Sequence, residues 1–109
     1  MPGKFSVTLR DNGQHGFALV AANGERILVS EGYDSRDNCL IGIEAVRKNA
    51  LDAQRFSKLG ANNGQLYFVL RAANGEIIGS SETYASESGR DGGIASVAEN
   101  AADASIVEH

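Results

Sequence analysis

The chain of 109 residues has no tryptophan, one cysteine, one proline and only 6% aromatic residues. Because Cys39 is the only cysteine, no intramolecular disulfide can form, and such thiols are usually buried without chemistry. Cys39 and His15, the one histidine before the C-terminus, are too few for a zinc site. A nucleophilic Cys39–His15 pair would also need a third, orienting group, which no pattern supplies. We therefore expect no cofactor, no metal and no catalytic residues.

Long apolar runs and clusters of basic residues are also absent. No stretch of about 18 apolar residues could cross a membrane, and Met1–Lys4 has no apolar signal core, so we expect a cytoplasmic protein without membrane contact. The net charge is −4, and no run of lysine or arginine builds a phosphate-binding patch, so we expect no nucleic-acid partner. His109, at the end, has the character of an expression-tag remnant and carries no functional weight.

What the sequence does contain is an internal repeat. The segment Ala21–Glu25 returns as Ala72–Glu76, at an offset of 51 residues that needs no insertion. The same offset relates Phe17 to Phe68, Leu19 to Leu70, Ile27 to Ile78, Tyr33 to Tyr84, Gly42 to Gly93, Val46 to Val97 and Asn49 to Asn100. A unit of about 50 residues is small for an independent fold, and no linker separates the copies. We therefore predict a single domain, 1–109, made of two repeats (about 4–54 and 55–107) that share one core.

The hydrophobic pattern predicts three strands and one helix in each copy. Apolar residues alternate with polar ones over 5–9, as in a half-buried strand, and Asn-Gly pairs at 12–13 and 23–24 predict tight turns to strands at about 17–21 and 25–30. After Tyr33 the period changes, and Ile43, Val46 and Ala50 predict a helix over about 37–50. Ile106 and Val107 predict a short final strand.

The alternation also assigns residues to the two faces of the sheet. Ile27 and Val29 are predicted to share the core face with the phenylalanines. The opposite face is predicted to be mixed rather than fully polar, and to carry Ser6, Thr8, Ala18, Val20, Arg26 and Leu28 in the first copy and Tyr67, Val69 and Arg71 in the second. Gly42 and Gly93 fall inside the helices, where glycine costs about 1 kcal/mol relative to alanine, and therefore indicate a close backbone approach rather than a phosphate loop.

Three short motifs occur in the same order in both copies. They are Asn-Gly-Glu (23–25 and 74–76), Ser-Glu-x-Tyr-x-Ser (30–35 and 81–86) and Gly-Ile-x-x-Val-x-x-Asn-Ala (42–50 and 93–101). With these motifs, almost the whole chain resembles the YegP-like family, small bacterial proteins of uncharacterised function that are often two tandem copies of one unit. The resemblance implies two βββαβ units in one sheet, with the strand that ends each unit exchanged towards the other. It implies no activity and no catalytic residues.

The predicted architecture is an α+β fold. Two βββα(β) repeats, related by a pseudo-twofold axis, form a single antiparallel sheet with two helices packed on one face.

One repeated motif leaves room for a function. Ser30, Glu31 and Tyr33, with their counterparts in the second copy, lie between a strand and a helix, where loops often carry function. In one interpretation they form a polar ligand-binding pocket, one per half or one shared at the pseudo-twofold axis, with glutamate as acid or base. In the other, serine and glutamate bond backbone groups and the tyrosine ring packs under the helix. The candidate residues are Ser30, Glu31, Tyr33, Ser81, Glu82 and Tyr84.

Two functional hypotheses follow. The first is a non-enzymatic module for protein interaction or self-association, motivated by the missing catalytic constellation and the mixed second face of the sheet. The second is a small-ligand-binding protein or enzyme that uses the repeated Ser-Glu-x-Tyr junction. The first is preferred.

Overall fold

The computed structural model describes residues 3–108, and the prediction about His109 falls outside them. Two copies of the same succession of elements follow each other along the chain, and a last strand ends it. The elements are β1 Lys4–Leu9, β2 His15–Val20, β3 Arg26–Ser30, α1 Arg36–Asn49, a 3-10 turn Ala53–Arg55, β4 Phe56–Gly60, β5 Leu66–Arg71, β6 Ile77–Ser80, α2 Glu87–Ala101 and β7 Ser105–Glu108.

Strands from both copies form one seven-stranded sheet in the order β4-β5-β6-β3-β2-β1-β7. The copies meet where β3 pairs antiparallel with β6. Every pairing is antiparallel except that of β7, which runs parallel to β1 because the chain reaches it by crossing over through α2. The sheet is therefore mixed. The predicted α+β tandem repeat, and the exchange of the last strand to the other copy, are confirmed.

The core lies between the helices and one face of the sheet. Phe5 and Phe17 meet edge to face at 5.7 Å in the first copy, and Phe56 and Phe68 do so at the same distance in the second. Helix residues from both copies, including Val46 and Val97, are fully buried against them. Each fully buried side chain of this kind contributes about 1.5–3 kcal/mol, so burial in this layer is a large stabilising contribution to the fold.

The pairing of β2 with β3 is interrupted by a bulge, which corrects one sequence prediction. The register shifts between Leu19 and Val20, so that both Ile27 and Leu28 point into the core. Val29 then faces away from it, in register with Ala18. The prediction that Ile27 and Val29 share the core face, with Leu28 opposite, was wrong because a bulge inserts one extra residue into the period of two.

Local signals fix the turns and the helix starts. Ser35 and Ser86 cap the two helices by accepting a hydrogen bond from the backbone N–H three residues on, at 3.1 and 3.0 Å. In the Asn-Gly turns the glycines alone adopt positive φ (83° to 88°), and no other residue does so within 3–108. The turns are therefore not of type I′, in which both residues need positive φ.

The face of the sheet opposite the helices is not covered by any element of residues 3–108, and we call it the open face. One row of side chains on this face crosses all seven strands: Val107, Ser6, Ala18, Val29, Ser80, Val69 and Ser57. Helices cover the other face only, so any second layer on the open face has to come from outside the described chain.

Candidate functional site

The serine of the repeated junction holds backbone groups in both copies. Ser30 Oγ accepts a hydrogen bond from the Phe17 N–H at 2.9 Å and donates one to the Glu31 carbonyl at 2.8 Å. Ser81 does the same, at 2.9 Å from Phe68 N and 2.7 Å from the carbonyl of the next residue. These bonds satisfy backbone groups where the strands separate, which is a sufficient structural reason for both serines.

The tyrosine of the junction packs under the helix of its own copy. The Tyr33 ring stacks on Phe17 with centroids 6.2 Å apart and planes at 12°, and the Tyr84 ring lies on Phe68 in the same way at 6.3 Å. A methyl group added at Gly42 would overlap the Tyr33 hydroxyl, and one at Gly93 would overlap that of Tyr84. The helix glycines therefore provide the space that the tyrosines occupy.

Burial raises the pKa values of both junction tyrosines. Desolvation raises the pKa of Tyr33 above its usual value of 10.0; the charges of Cys39 and Glu31 add to this rise, and the charge of Arg10 opposes it. Desolvation is also the main cause of the raised pKa of Tyr84, followed by Glu25 and Glu82. Both hydroxyls therefore stay neutral near pH 7, where they can donate a hydrogen bond but cannot act as a base.

The two glutamates of the junction are exposed. Neither the Glu31 nor the Glu82 side chain forms a hydrogen bond or an ion pair within residues 3–108. Glu31 and Tyr33 line a groove of about 460 Å³ between α1 and the β5–β6 hairpin, whose other residues include Ile41. Glu82 and Tyr84 do not line this groove, so the structure does not join the six candidate residues in it.

The remaining sequence candidates offer little chemistry. Cys39 is a buried free thiol, and burial raises its pKa, which lowers its reactivity. His15 pairs with Tyr33 through backbone groups, and Leu66 pairs with Tyr84 in the same way, so this position needs no imidazole. Within 3–108, no cluster of three metal-ligating side chains forms, and no helix is long and apolar enough to cross a membrane.

The open face carries a charge pattern that sequence reasoning missed. Its strands bear Lys4, Arg26 and Arg71, and Arg10 follows β1 beside them. Glu108 is the only carboxylate on the strands of residues 3–108; it is in register with Val7 on the helix side and pairs with Arg36. A chain of net charge −4 therefore presents a face on which the charged strand residues are all basic.

None of these cations forms an ion pair with a carboxylate of the described part of the chain. Five of the ten basic side chains form ion pairs with carboxylates, all of them on the helix side or at the sheet edge: Arg36, Arg47, Arg55, Lys58 and Arg90. Of the others, only Lys48, on α1, lies away from the open face. Part of this separation between the cations of the open face and the ion-paired cations could have been found in the sequence, by assigning each charged strand residue to a face of the sheet.

The apolar residues of the open face concentrate in the second half. Leu59 and Tyr67 face each other across β4 and β5, and Ile77 faces Arg71 across β5 and β6. All are half-buried, and Val69 between them is 2% exposed although no element covers it. The open face therefore carries three of its four cations in the first half and its larger apolar side chains in the second.

Comparison with known proteins identifies a matching family and several relatives of this chain. A family model described as a domain of unknown function (DUF1508) matches twice, at residues 11–56 and 61–108. The UPF0339 protein in the ptx operon 5′ region of Stutzerimonas stutzeri is 43% identical over 99% of this chain and 97% of its own length. The UPF0339 protein YegP of Escherichia coli K12 is 42% identical over 100% of this chain and 99% of its own.

Solved structures agree with the architecture. The solution NMR structure of E. coli yegP, a protein of unknown function, matches with a TM-score of 0.94 at 42% identity and covers 100% of this chain and 94% of that one. The solution structure of a UPF0339 protein from Shewanella oneidensis matches with a TM-score of 0.91 at 42% identity, over 99% and 92% of the two chains. With two copies of the DUF1508 domain and relatives aligned over nearly their full length, the chain belongs to the bacterial UPF0339 family of uncharacterised proteins.

Proposed function

We propose that this protein is a non-enzymatic interaction module that docks a partner protein with an acidic surface on its open face. The observation that carries the proposal is the set of unpaired cations on the uncovered side of the sheet, on a chain that is acidic overall. Charge complementarity favours an acidic partner and speeds its association.

The composition and size of the face fit this role. Interface centres are enriched in tyrosine and arginine and depleted in acidic residues, and the open face has Tyr67 and Arg71 and no carboxylate on its strands. Seven strands about 4.8 Å apart span roughly 30 Å, which is the scale of a protein surface rather than of a metabolite. Two open faces brought together would set like charges against each other, so a different, acidic protein suits the face better than a second copy.

The test compares two single substitutions of equal charge. Arg26 on the open face and Lys48 on α1 are both exposed and free of ion pairs within 3–108. Wild type, Arg26→Glu and Lys48→Glu are immobilised and exposed to cell extract. We expect wild type and Lys48→Glu to retain the same protein, and Arg26→Glu to lose it.

Three outcomes would contradict the proposal. The first is equal retention by all three variants. The second is retention that nuclease treatment abolishes, which would identify a nucleic acid instead of a protein. The third is a dimer in sedimentation equilibrium that Arg26→Glu dissociates, which would assign the face to self-association.

A second candidate function rests on the groove beside Glu31 and Tyr33. Its volume of about 460 Å³ suits a small molecule, and its lining combines two carboxylates, Glu31 and Glu76, with an exposed aliphatic residue, Ile41. In a thermal-shift screen of metabolites, this hypothesis predicts a compound that stabilises wild type and Glu82→Gln but not Glu31→Gln. A compound that stabilises all three equally, or none at all, would argue against it.

A further inference from the structure

A shallow concavity of about 190 Å³ lies on the open face in the first half of the chain. Two arginines and two hydroxyl side chains line it, together with small apolar residues of the central strands. Among the lining residues are Arg10, Arg26, Ser6, Thr8, Ala18 and Val29. The feature thus brings cationic and hydroxyl donors around an apolar centre.

Arg10 is held in place by the fold. Its guanidinium donates hydrogen bonds to the Ser30 carbonyl at 3.0 Å and to the Ser30 Oγ at 3.4 Å, and it lies over Gly16, where a methyl group would overlap it. It engages no carboxylate in residues 3–108. Because its position is fixed before any ligand arrives, little side-chain freedom is lost on binding.

Arg26 differs from every other arginine of the chain. It is exposed on β3 and forms neither a hydrogen bond nor an ion pair with any residue of 3–108. Ser6 and Thr8 likewise form no side-chain hydrogen bond in this part of the chain. Four side chains with hydrogen-bond donors therefore line the concavity. Three of them, Arg26, Ser6 and Thr8, form no side-chain hydrogen bond within residues 3–108.

The second copy shows what removes this concavity. At the offset of 51, Ala18 is replaced by Val69, Arg10 by Ala61 and Gly16 by Tyr67. Thr8 and Arg26 are likewise replaced by the aliphatic residues Leu59 and Ile77. The equivalent surface is filled by Val69, which is 2% exposed. The concavity is therefore built from departures from the repeat, which the fold itself does not require.

Resting on the proposed function above, we infer that this concavity, the Arg10–Arg26 pocket, binds a glutamate or aspartate carboxylate of the docked partner. Arginine pairs with carboxylates through two parallel hydrogen bonds, and the hydroxyls can donate to the remaining oxygen lone pairs. The methylene stem of the side chain would lie on Ala18 and Val29. Phosphate sites usually rely on free backbone N–H groups, whereas β2 is paired on both sides at this point.

The experiment titrates the full chain with a defined probe at constant ionic strength. The probe is a blocked peptide of four glutamates, and its control is the same peptide with four glutamines. Binding is followed by NMR through the arginine Nε and backbone amide signals. We expect saturable shifts at Arg10, Arg26 and Ala18 with the glutamate peptide only, and none at Lys48.

Ala18→Val is the decisive variant, because it fills the concavity with the residue of the other copy and leaves every cation in place. Valine is well tolerated on a strand, and the circular dichroism spectrum checks the fold. We expect the Kd for the glutamate peptide to rise at least tenfold in Ala18→Val and in Arg26→Ala, and to stay unchanged in Lys48→Ala.

Two results would overturn the inference. One is an unchanged Kd in Ala18→Val, which would mean that diffuse charge alone binds the peptide. The other is inorganic phosphate binding at the same signals at least tenfold more tightly than the peptide. If the peptide fails to bind here while Arg26→Glu still loses the captured protein, the pocket is wrong and the docking face stands. If Arg26→Glu keeps that protein, the docking face is wrong whatever the peptide does.

Discussion

Phe17 stacks on Tyr33 in the first half of the chain in the same geometry as Phe68 on Tyr84 in the second, and each tyrosine lies under a helix glycine. On the open face the two halves of the chain differ. There the first half carries Arg10 and Arg26, and the second half carries Ala61 and Ile77 at the equivalent positions. Selection for folding alone explains residues that both copies need, so a function specific to one half is best sought where the copies differ.

The outer strands of the two halves also differ. β1 is covered along its outer edge by β7, and Phe5 on it is fully buried beneath the Arg47 guanidinium, 5.4 Å from the ring centroid. β4, its equivalent, has no neighbour on its outer side and is itself an edge strand, and Phe56 on it is half-buried. Lys58 on β4 interrupts the edge with a charge, a common way to discourage pairing with another chain. The same element is thus interior in one half and peripheral in the other.

The largest expected effect tests this difference at the outer strands. We predict that Phe5→Ala lowers the free energy of unfolding by about 3–5 kcal/mol, as for other buried phenylalanines, and Phe56→Ala by roughly half as much. Urea unfolding followed by circular dichroism measures both. Leu51→Ala, at a site 76% exposed, is the control and should change little. Equal losses for the two phenylalanines would mean that β7 does not stabilise the edge that it covers.

The second prediction tests the shared tyrosine–glycine contact. Gly42→Ala and Gly93→Ala should each cost about 1–3 kcal/mol, the usual range for overpacking, because the new methyl group overlaps a stacked tyrosine. The cost should be greater at Gly93, where the Phe68 ring also lies within 3.1 Å of the added atom.

Gly92→Ala is the matched control for this pair. Gly92 lies beside Gly93 in α2, and no atom lies within 4 Å of an added methyl group. Gly92→Ala should therefore stabilise the protein by up to about 1 kcal/mol, because alanine has the higher helix propensity. Stabilisation by all three substitutions in urea unfolding would show that the tyrosines move aside easily.

Much of this fold could be predicted from the sequence because its signals are local. Alternation marks the strands, the change of period after Tyr33 marks the first helix, and the repeat doubles most of these observations. The bulge at Ile27 in β3 could not be predicted, since Ile27, Leu28 and Val29 are all apolar and a run of three hides the phase. The cationic face could be predicted only in part: alternation assigns Arg26 and Arg71 to it, but Lys4 comes beside Arg26 only once β1, β2 and β3 are paired.

The candidate site shows the same limit. The Ser-Glu-x-Tyr junction drew attention because it is repeated, and its serine and tyrosine prove to serve strand ends and helix packing in both copies. A repeat reports what both halves need. It cannot point to the Arg10–Arg26 pocket, whose two arginines are replaced in the second copy.

The third prediction compares the two junction serines. Replacing either by alanine leaves a backbone N–H of a core phenylalanine without its partner, which costs about 1–3 kcal/mol when the group is buried. Ser30 is 5% exposed and also accepts hydrogen bonds from Arg10, whereas Ser81 is half-buried. Ser30→Ala should therefore lower the free energy of unfolding in urea more than Ser81→Ala does. Glu31→Ala, beside it, should cost little. The reverse order for the serines would mean that Arg10 contributes nothing at this junction.

The smallest expected effect is a loss of stability at alkaline pH, to which both halves should contribute. Burial raises the pKa of Tyr33 and of Tyr84 above 10.0, so both tyrosines bind their protons more tightly in the folded chain than in the unfolded one. The resulting stability is fully present below pH 10 and is lost as the pH rises through the raised pKa values. We therefore expect the urea midpoint to fall above pH 10.

Tyr33→Phe and Tyr84→Phe should each remove part of this alkaline loss, and the double variant should remove more. Tyr67→Phe, on the open face, is the control, and Cys39, whose pKa burial also raises, stays in every variant. If one junction variant alone abolished the alkaline loss, the two tyrosines would not be equivalent, and the agreement between the halves would end at their geometry. Equal contributions would instead extend that agreement to energetics and leave the open face as the place where the copies diverge.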